Sequence, residues 1–172
     1  PSGWGVKKGN WYTDGKGNKT WKVMAENGSK FLRAESEKDS YTIGKEYEYS
    51  LEKFKYLTWR WRVHKLPEGA DEEHKKTGDS AAGVYVVFPG FIIPYKIKDV
   101  WRTTRKVGTV VDSPFTGRTK VVVIRGGKAN LGEWVTEKRN VYEDYKKVFN
   151  KKKVYKNPEG IALLTDSDNT GT

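Results

Sequence analysis

Apolar and polar positions alternate in short runs along most of this chain, and turn-forming residues interrupt the runs every few positions. Alternation marks a half-buried strand, because successive side chains leave a strand on opposite faces. The clearest run is Tyr56 to Val63. Leu57, Trp59, Trp61 and Val63 share one face, whereas Tyr56, Thr58, Arg60 and Arg62 share the other. One face reads as core and the other as polar and cationic. Ala81 to Phe88 is apolar on both faces, which suits a central strand covered on both sides or a cleft lined by small residues. Further strands are predicted at Lys30–Ala34, Lys45–Tyr49, Tyr95–Trp101, Lys120–Arg125, Glu133–Arg139 and Gly160–Thr165. Asp14-Gly15 predicts a hairpin joining Asn10–Thr13 to Thr20–Met24, and Asn27-Gly28 marks a second turn, since both dipeptides tolerate positive φ.

A single segment has helical spacing. Val141, Tyr145, Val148 and Phe149 form an apolar stripe, with Asn140 in place to cap the start and Glu143 three residues on. Lys151-Lys152-Lys153 follows near the negative end of the helix dipole. Many short strands and one helix predict a single all-β domain over residues 1–172. The expected form is a jelly-roll-like antiparallel β-sandwich with one short helix near the C-terminus, and a barrel is the alternative.

Composition narrows the function classes. The chain has 172 residues, 33 Lys and Arg against 22 Asp and Glu, and a formal charge of +11. It has no cysteine, so disulfides, thiolate metal sites and cysteine nucleophiles are excluded. Its 7 Trp, 10 Tyr and 6 Phe separate it from disordered basic chains, which are poor in aromatics. No apolar run approaches the roughly 20 residues of a membrane-spanning helix. The first residue is Pro1 and the lone methionine is Met24, which suggests removal of an N-terminal segment and a periplasmic or extracellular location.

Five ordered stretches resemble a known family. They are Leu57 to Val63 continuing through Leu66 to Glu72, Gly78 to Phe88, Trp134 to Tyr145, and Gly160 to Thr170. In this order they are similar to the signature of the bacterial family catalogued as domain of unknown function 3047, from about Trp4 onward. The resemblance implies an exported, jelly-roll-like protein and carries over no activity or catalytic residue. It also implies one more short strand beyond the Asp168-Asn169-Thr170 segment than this sequence contains.

Candidate chemistry centres on the polar face of the Trp strand. Arg60 and Arg62 could face Glu137 and Arg139 on a neighbouring strand, with Asp79 at the entrance, Tyr85 on the floor and Trp101 at the rim. Such a groove suits an acidic glycan, because aromatic faces stack on sugar C–H faces and charged forks hold carboxylates. A cross-strand charge ladder is the competing arrangement. Asp166, Asp168 and Asn169 offer the hard oxygen ligands that calcium takes, or equally an Asx turn. The acidic loop Asp71 to His74 lacks the spacing of a known metal motif and reads as solvated.

Hydrolase chemistry has little support, since only His64 and His74 are available and no Gly-x-Ser-x-Gly elbow occurs. Three functions therefore stand, in this order. The first is a non-catalytic extracytoplasmic module binding a glycan or other acidic polymer. The second is a structural or assembly subunit, joined to itself or to an envelope protein. The third is a polysaccharide lyase or hydrolase using Tyr85, His64 or the arginines. The fold signatures of nucleic-acid binding are missing.

Overall fold

The computed structural model describes residues 20–71, 73–104, 106–154 and 156–171. The strand expected at Asn10–Thr13 and the turn at Asp14-Gly15 lie outside them. Among the described residues, ten strands and one full helix follow in order: β1 Trp21–Glu26, β2 Ser29–Ala34, β3 Ser40–Glu46, β4 Tyr56–Trp61, β5 Ala82–Phe88, β6 Tyr95–Arg102, β7 Val110–Ser113, β8 Thr116–Gly126, β9 Val135–Asn140, α1 Val141–Val148 and β10 Gly160–Asp166. The fold is all-β and sandwich-like, with its helix near the C-terminus. Among the described residues no helix is long and apolar enough to cross a membrane.

Six strands form the main sheet in the order β3-β10-β5-β6-β8-β7, while β1-β2 and β4-β9 are separate pairs. One face of the main sheet is apolar. Val84, Val86 and Phe88 of β5, Ile97 and Trp101 of β6 and Val122 of β8 are buried there. They pack on Trp61 of β4 and on Val141 and Tyr145 of α1, so the β4-β9 pair and the helix form the second layer. Trp101 lies against Trp61 with ring centroids 5.7 Å apart, and Tyr145 against Phe88 at 4.6 Å. Burial of these large rings stabilises the contact between the layers, each aromatic side chain removing ~150–250 Å² from water.

The opposite face is mixed. Tyr85, Lys96, Lys98, Thr119, Leu164 and Asp166 lie along it and line a cleft. Two segments frame that cleft: the loop 67–80 and the turn between β7 and β8. They meet where Gly78 approaches the Phe115 ring, 3.7 Å from the position a Cβ would occupy.

Local signals produce the expected elements at most positions. The β1-β2 hairpin turns on Asn27 and Gly28, both at positive φ (47° and 77°), as a type I′ turn requires. Asn140 Oδ1 accepts from the Glu143 amide at 3.2 Å, capping α1. Acidic Glu143 and Asp144 occupy the first turn and basic Lys146 and Lys147 the last, both favourable to the helix dipole.

Three features depart from expectation. The strand foreseen at Lys45–Tyr49 is centred earlier, at Ser40–Glu46. The strand β7 was not foreseen. The β6-β8 ladder is parallel rather than antiparallel, with a register shift between Val100 and Trp101. The chain leaves β6, runs back along the sheet edge as β7, and returns as β8 between the two. That order forces β6 and β8 to point the same way.

Candidate functional site

The register of the β4-β9 ladder decides whether the predicted groove exists. Trp59 pairs with Glu137 and Leu57 with Arg139, so both charged residues share the inward face with the tryptophans. Arg60 pairs with Thr136, on the outward face. Arg60 and Arg62 therefore do not face Glu137 and Arg139. The expected constellation divides into three separate places.

On the outward face, Arg62 holds the β1-β2 hairpin. Arg62 pairs with Glu26 at 3.0 Å, and Glu26 also accepts from Trp134 Nε1 at 3.3 Å. The Arg62 guanidinium lies 4.8 Å from the Trp134 ring centroid and 5.7 Å from that of Phe31, and Arg60 lies 5.1 Å from Trp134. These hydrogen bonds hold the Glu26 carboxyl below its usual range, Arg62 contributing most. Arg62 thus engages the hairpin directly, while Arg60 is exposed and lies over Trp134 ahead of β9.

Between the layers, Glu137 accepts from Arg125 Nε at 2.5 Å and from Trp61 Nε1 at 3.3 Å. Arg139 makes a two-pronged pair with Asp144, at 2.6 and 3.0 Å, tying β9 to the first turn of α1. Both line a second cleft of about 210 Å³ against β8. Beneath them is Asp99, 2% exposed, whose Oδ1 has no hydrogen-bond partner among the described residues. Burial pushes its carboxyl up to about 7, Arg139 opposing and Asp144 and Glu137 reinforcing the rise. Trp101, expected at a rim, is fully buried in the core and donates to Gly127 O at 3.1 Å.

The open face of the main sheet holds the third group, in a cleft of its own. Its cleft has a volume of about 230 Å³ and is lined by Ser40, Thr42, Tyr85, Lys96, Lys98, Thr119 and Asp166. Lys98 Nζ donates to Ser80 Oγ at 2.9 Å and lies 5.8 Å from the Tyr85 ring centroid. Burial raises the Tyr85 hydroxyl, with Lys98 opposing the rise. Burial likewise raises Asp166, against the attraction of Lys98 and with Asp168 and Asp79 adding to the rise. Lys96 differs from its neighbours. It has no hydrogen bond or ion pair among the described residues, and burial lowers its pKa.

Two of the expected calcium ligands, Asp166 and Asp168, gather with Asp79. Carboxylate oxygens of Asp79, Asp166 and Asp168 lie within 4.8 Å of one another. Asp79 is fully buried and accepts four hydrogen bonds: from Asn169 N at 3.0 Å, Asn169 Nδ2 at 2.8 Å, Thr170 N at 2.7 Å and Thr170 Oγ1 at 2.6 Å. Those bonds outweigh desolvation, the largest single influence, and hold the Asp79 carboxyl below its usual range. Asn169 and Asp79 thus form a latch that fastens the segment after β10 to the loop before β5. In the acidic loop, Asp71 pairs with buried Arg102 at 2.9 Å and His74 is exposed. His64 is exposed too and does not line the cleft.

Of the predicted residues, then, Tyr85 and Asp166 line the cleft, and Asp79 supports its end. Sequence reasoning missed Lys96 and Lys98. Their signal was present, because two lysines at i and i+2 in a strand otherwise rich in apolar residues must share one face.

A family profile described as "Protein of unknown function (DUF3047)" matches residues 2–172. The chain belongs to this family. The DUF3047 match takes in every element described above, the cleft included. No curated protein matches the chain.

Proposed function

We propose that this DUF3047 protein is a non-catalytic, extracytoplasmic binding module that holds the carboxylate of an acidic glycan in the cleft of its main sheet. The observation that carries the reading is Lys96, an ammonium drawn into the cleft with no hydrogen bond or ion pair among the described residues. A half-buried cation without a partner is unfavourable in the free protein, and an arriving anion relieves it. Lys98 adds a second positive charge. Ser40, Thr42 and Thr119 supply hydroxyls at the spacing of a strand face, and Tyr85 supplies an aromatic edge for a sugar ring.

Recognition is favoured over cleavage by the state of the cleft's acid–base groups. A lyase needs a base ready to accept a proton, whereas burial favours the protonated phenol of Tyr85 and the protonated acid of Asp166. Titration calorimetry with uronate-containing and neutral polysaccharides tests the reading. Binding is expected for the uronates alone, weakening with salt, and Lys96→Gln should reduce affinity about tenfold. Equal affinity in Lys96→Gln, or no uronate binding at low salt, would sink it.

A further inference from the structure

The end of the main sheet remote from the Asp79 latch carries a feature unrelated to the cleft. Between β5 and β6 the chain turns through Gly90-Phe91-Ile92-Ile93-Pro94, and three consecutive large apolar side chains point into solvent. Phe91 is 96% exposed, Ile92 75% and Ile93 47%. Apolar residues scattered singly over a surface need no explanation, but a contiguous group at a projecting tip does.

This tip is built rather than loose. A Cβ at Gly90 would lie 1.9 Å from Ile93 O, so the turn closes tightly and admits only glycine there. Pro94 is buried at its base. Arg118 Nη1 donates to Ile93 O at 2.8 Å while its guanidinium lies 5.1 Å from the Tyr95 ring centroid. The turn is thereby held out from the sheet, and its side chains have no route back to the core.

Cationic residues adjoin its stem, one by contact and three along the chain. Arg118 is at the stem. Tyr95, the first residue of β6, packs on Phe149 at 5.3 Å, and the chain passes from Phe149 through Asn150 into the exposed Lys151-Lys152-Lys153. The carboxylates at this end, Glu46, Glu48 and Glu159, belong to the β3 and β10 side, across the tip from Arg118 on β8.

We propose that the β5-β6 tip is an interfacial anchor that docks this end of the molecule on an anionic lipid surface. Shape and charge select a bilayer over a protein. A stable protein interface buries about 800 Å² on each partner, far more than three side chains on a narrow convex turn present. Shallow insertion of a few apolar residues beneath the headgroups, with lysines and arginines at headgroup level, uses what this tip offers.

Co-sedimentation of the intact protein with phosphatidylcholine vesicles, with and without phosphatidylglycerol, tests the proposal. Wild type should bind the anionic vesicles at low salt and the neutral ones weakly. The double variant Phe91→Ser, Ile92→Ser should bind anionic vesicles at least tenfold less, with an unchanged melting temperature because both side chains are already in water. Lys151→Ser, Lys152→Ser, Lys153→Ser should remove the preference for phosphatidylglycerol but keep residual binding. Wild-type binding by the serine double variant would reduce the effect to non-specific adsorption on lysines and overturn the proposal. So would absence of vesicle binding, or loss of self-association in the double variant by light scattering, which would assign the tip to a second protein copy. Neither outcome bears on Lys96, so this inference and the glycan reading fail separately.

Discussion

Asp79 and Asp99 are both buried carboxyls, yet their surroundings drive them in opposite directions. Asp79 accepts four hydrogen bonds and is held ionised, and its contribution is lost only as pH falls through its lowered pKa. Asp99 has an unpartnered oxygen and the nearby carboxylates of Asp144 and Glu137, so the protonated form is favoured. With a folded pKa of about 7 against an ordinary 3.8, its contribution to stability is complete below the unfolded value and declines as pH rises through 7. Asp99→Asn keeps the shape and removes the titration. Urea unfolding at pH 5 and pH 8 should show the variant losing less stability than wild type over that interval. The difference should be on the order of a few kcal/mol, at about 1.4 kcal/mol per unit. Parallel losses in both proteins would mean that Asp99 does not titrate there.

At the scale of elements, local chemistry made much of the fold readable. The α1 cap is an example: Asn140 satisfies the Glu143 amide in the structure as its spacing predicted. Asn140→Ala should cost about 1 kcal/mol, measured as a lower urea midpoint with an unchanged slope. The alternation of Tyr56 to Val63 likewise gave the correct faces, with Trp61 and Val63 buried and Arg60 exposed. What alternation within a strand leaves open is the parity between strands. Moving β9 by one residue against β4 would have placed Glu137 and Arg139 beside Arg60, and the register instead sets Glu137 opposite Trp59. β3 was misplaced because Ser40-Tyr41-Thr42 carries polar atoms on both faces, and its pairing with β10 comes from the sheet rather than from its own pattern. The parallel β6-β8 ladder depends on β7 occupying the edge, a long-range fact absent from either strand's residues.

Across the whole molecule, the two faces of the main sheet do different work, and Lys96 and Lys98 expose the contrast within the open one. The covered face is committed to packing, and the face with the lysines is left open as a cleft. Lys98 is fastened: it donates to buried Ser80 and its charge opposes the rise at Asp166, so its removal costs a buried hydrogen bond and that electrostatic support. Lys96 has no such attachment, and burial works against its charge. A lysine whose folded pKa is lowered contributes most above its unfolded pKa and loses that contribution as pH falls, which puts it at a disadvantage at pH 7. Lys96→Met should therefore raise the melting temperature of the free protein by about 2 °C while weakening polyuronate binding. Lys98→Met should lower the melting temperature. Added polyuronate should stabilise wild type, by linkage of binding to folding, and leave Lys96→Met almost unmoved. Stability and affinity changing in opposite directions at Lys96, and together at Lys98, is the signature of one lysine kept for a ligand and another kept for the fold. If Lys96→Met proves less stable than wild type, Lys96 has a structural role and the cleft loses its best argument for an anionic ligand.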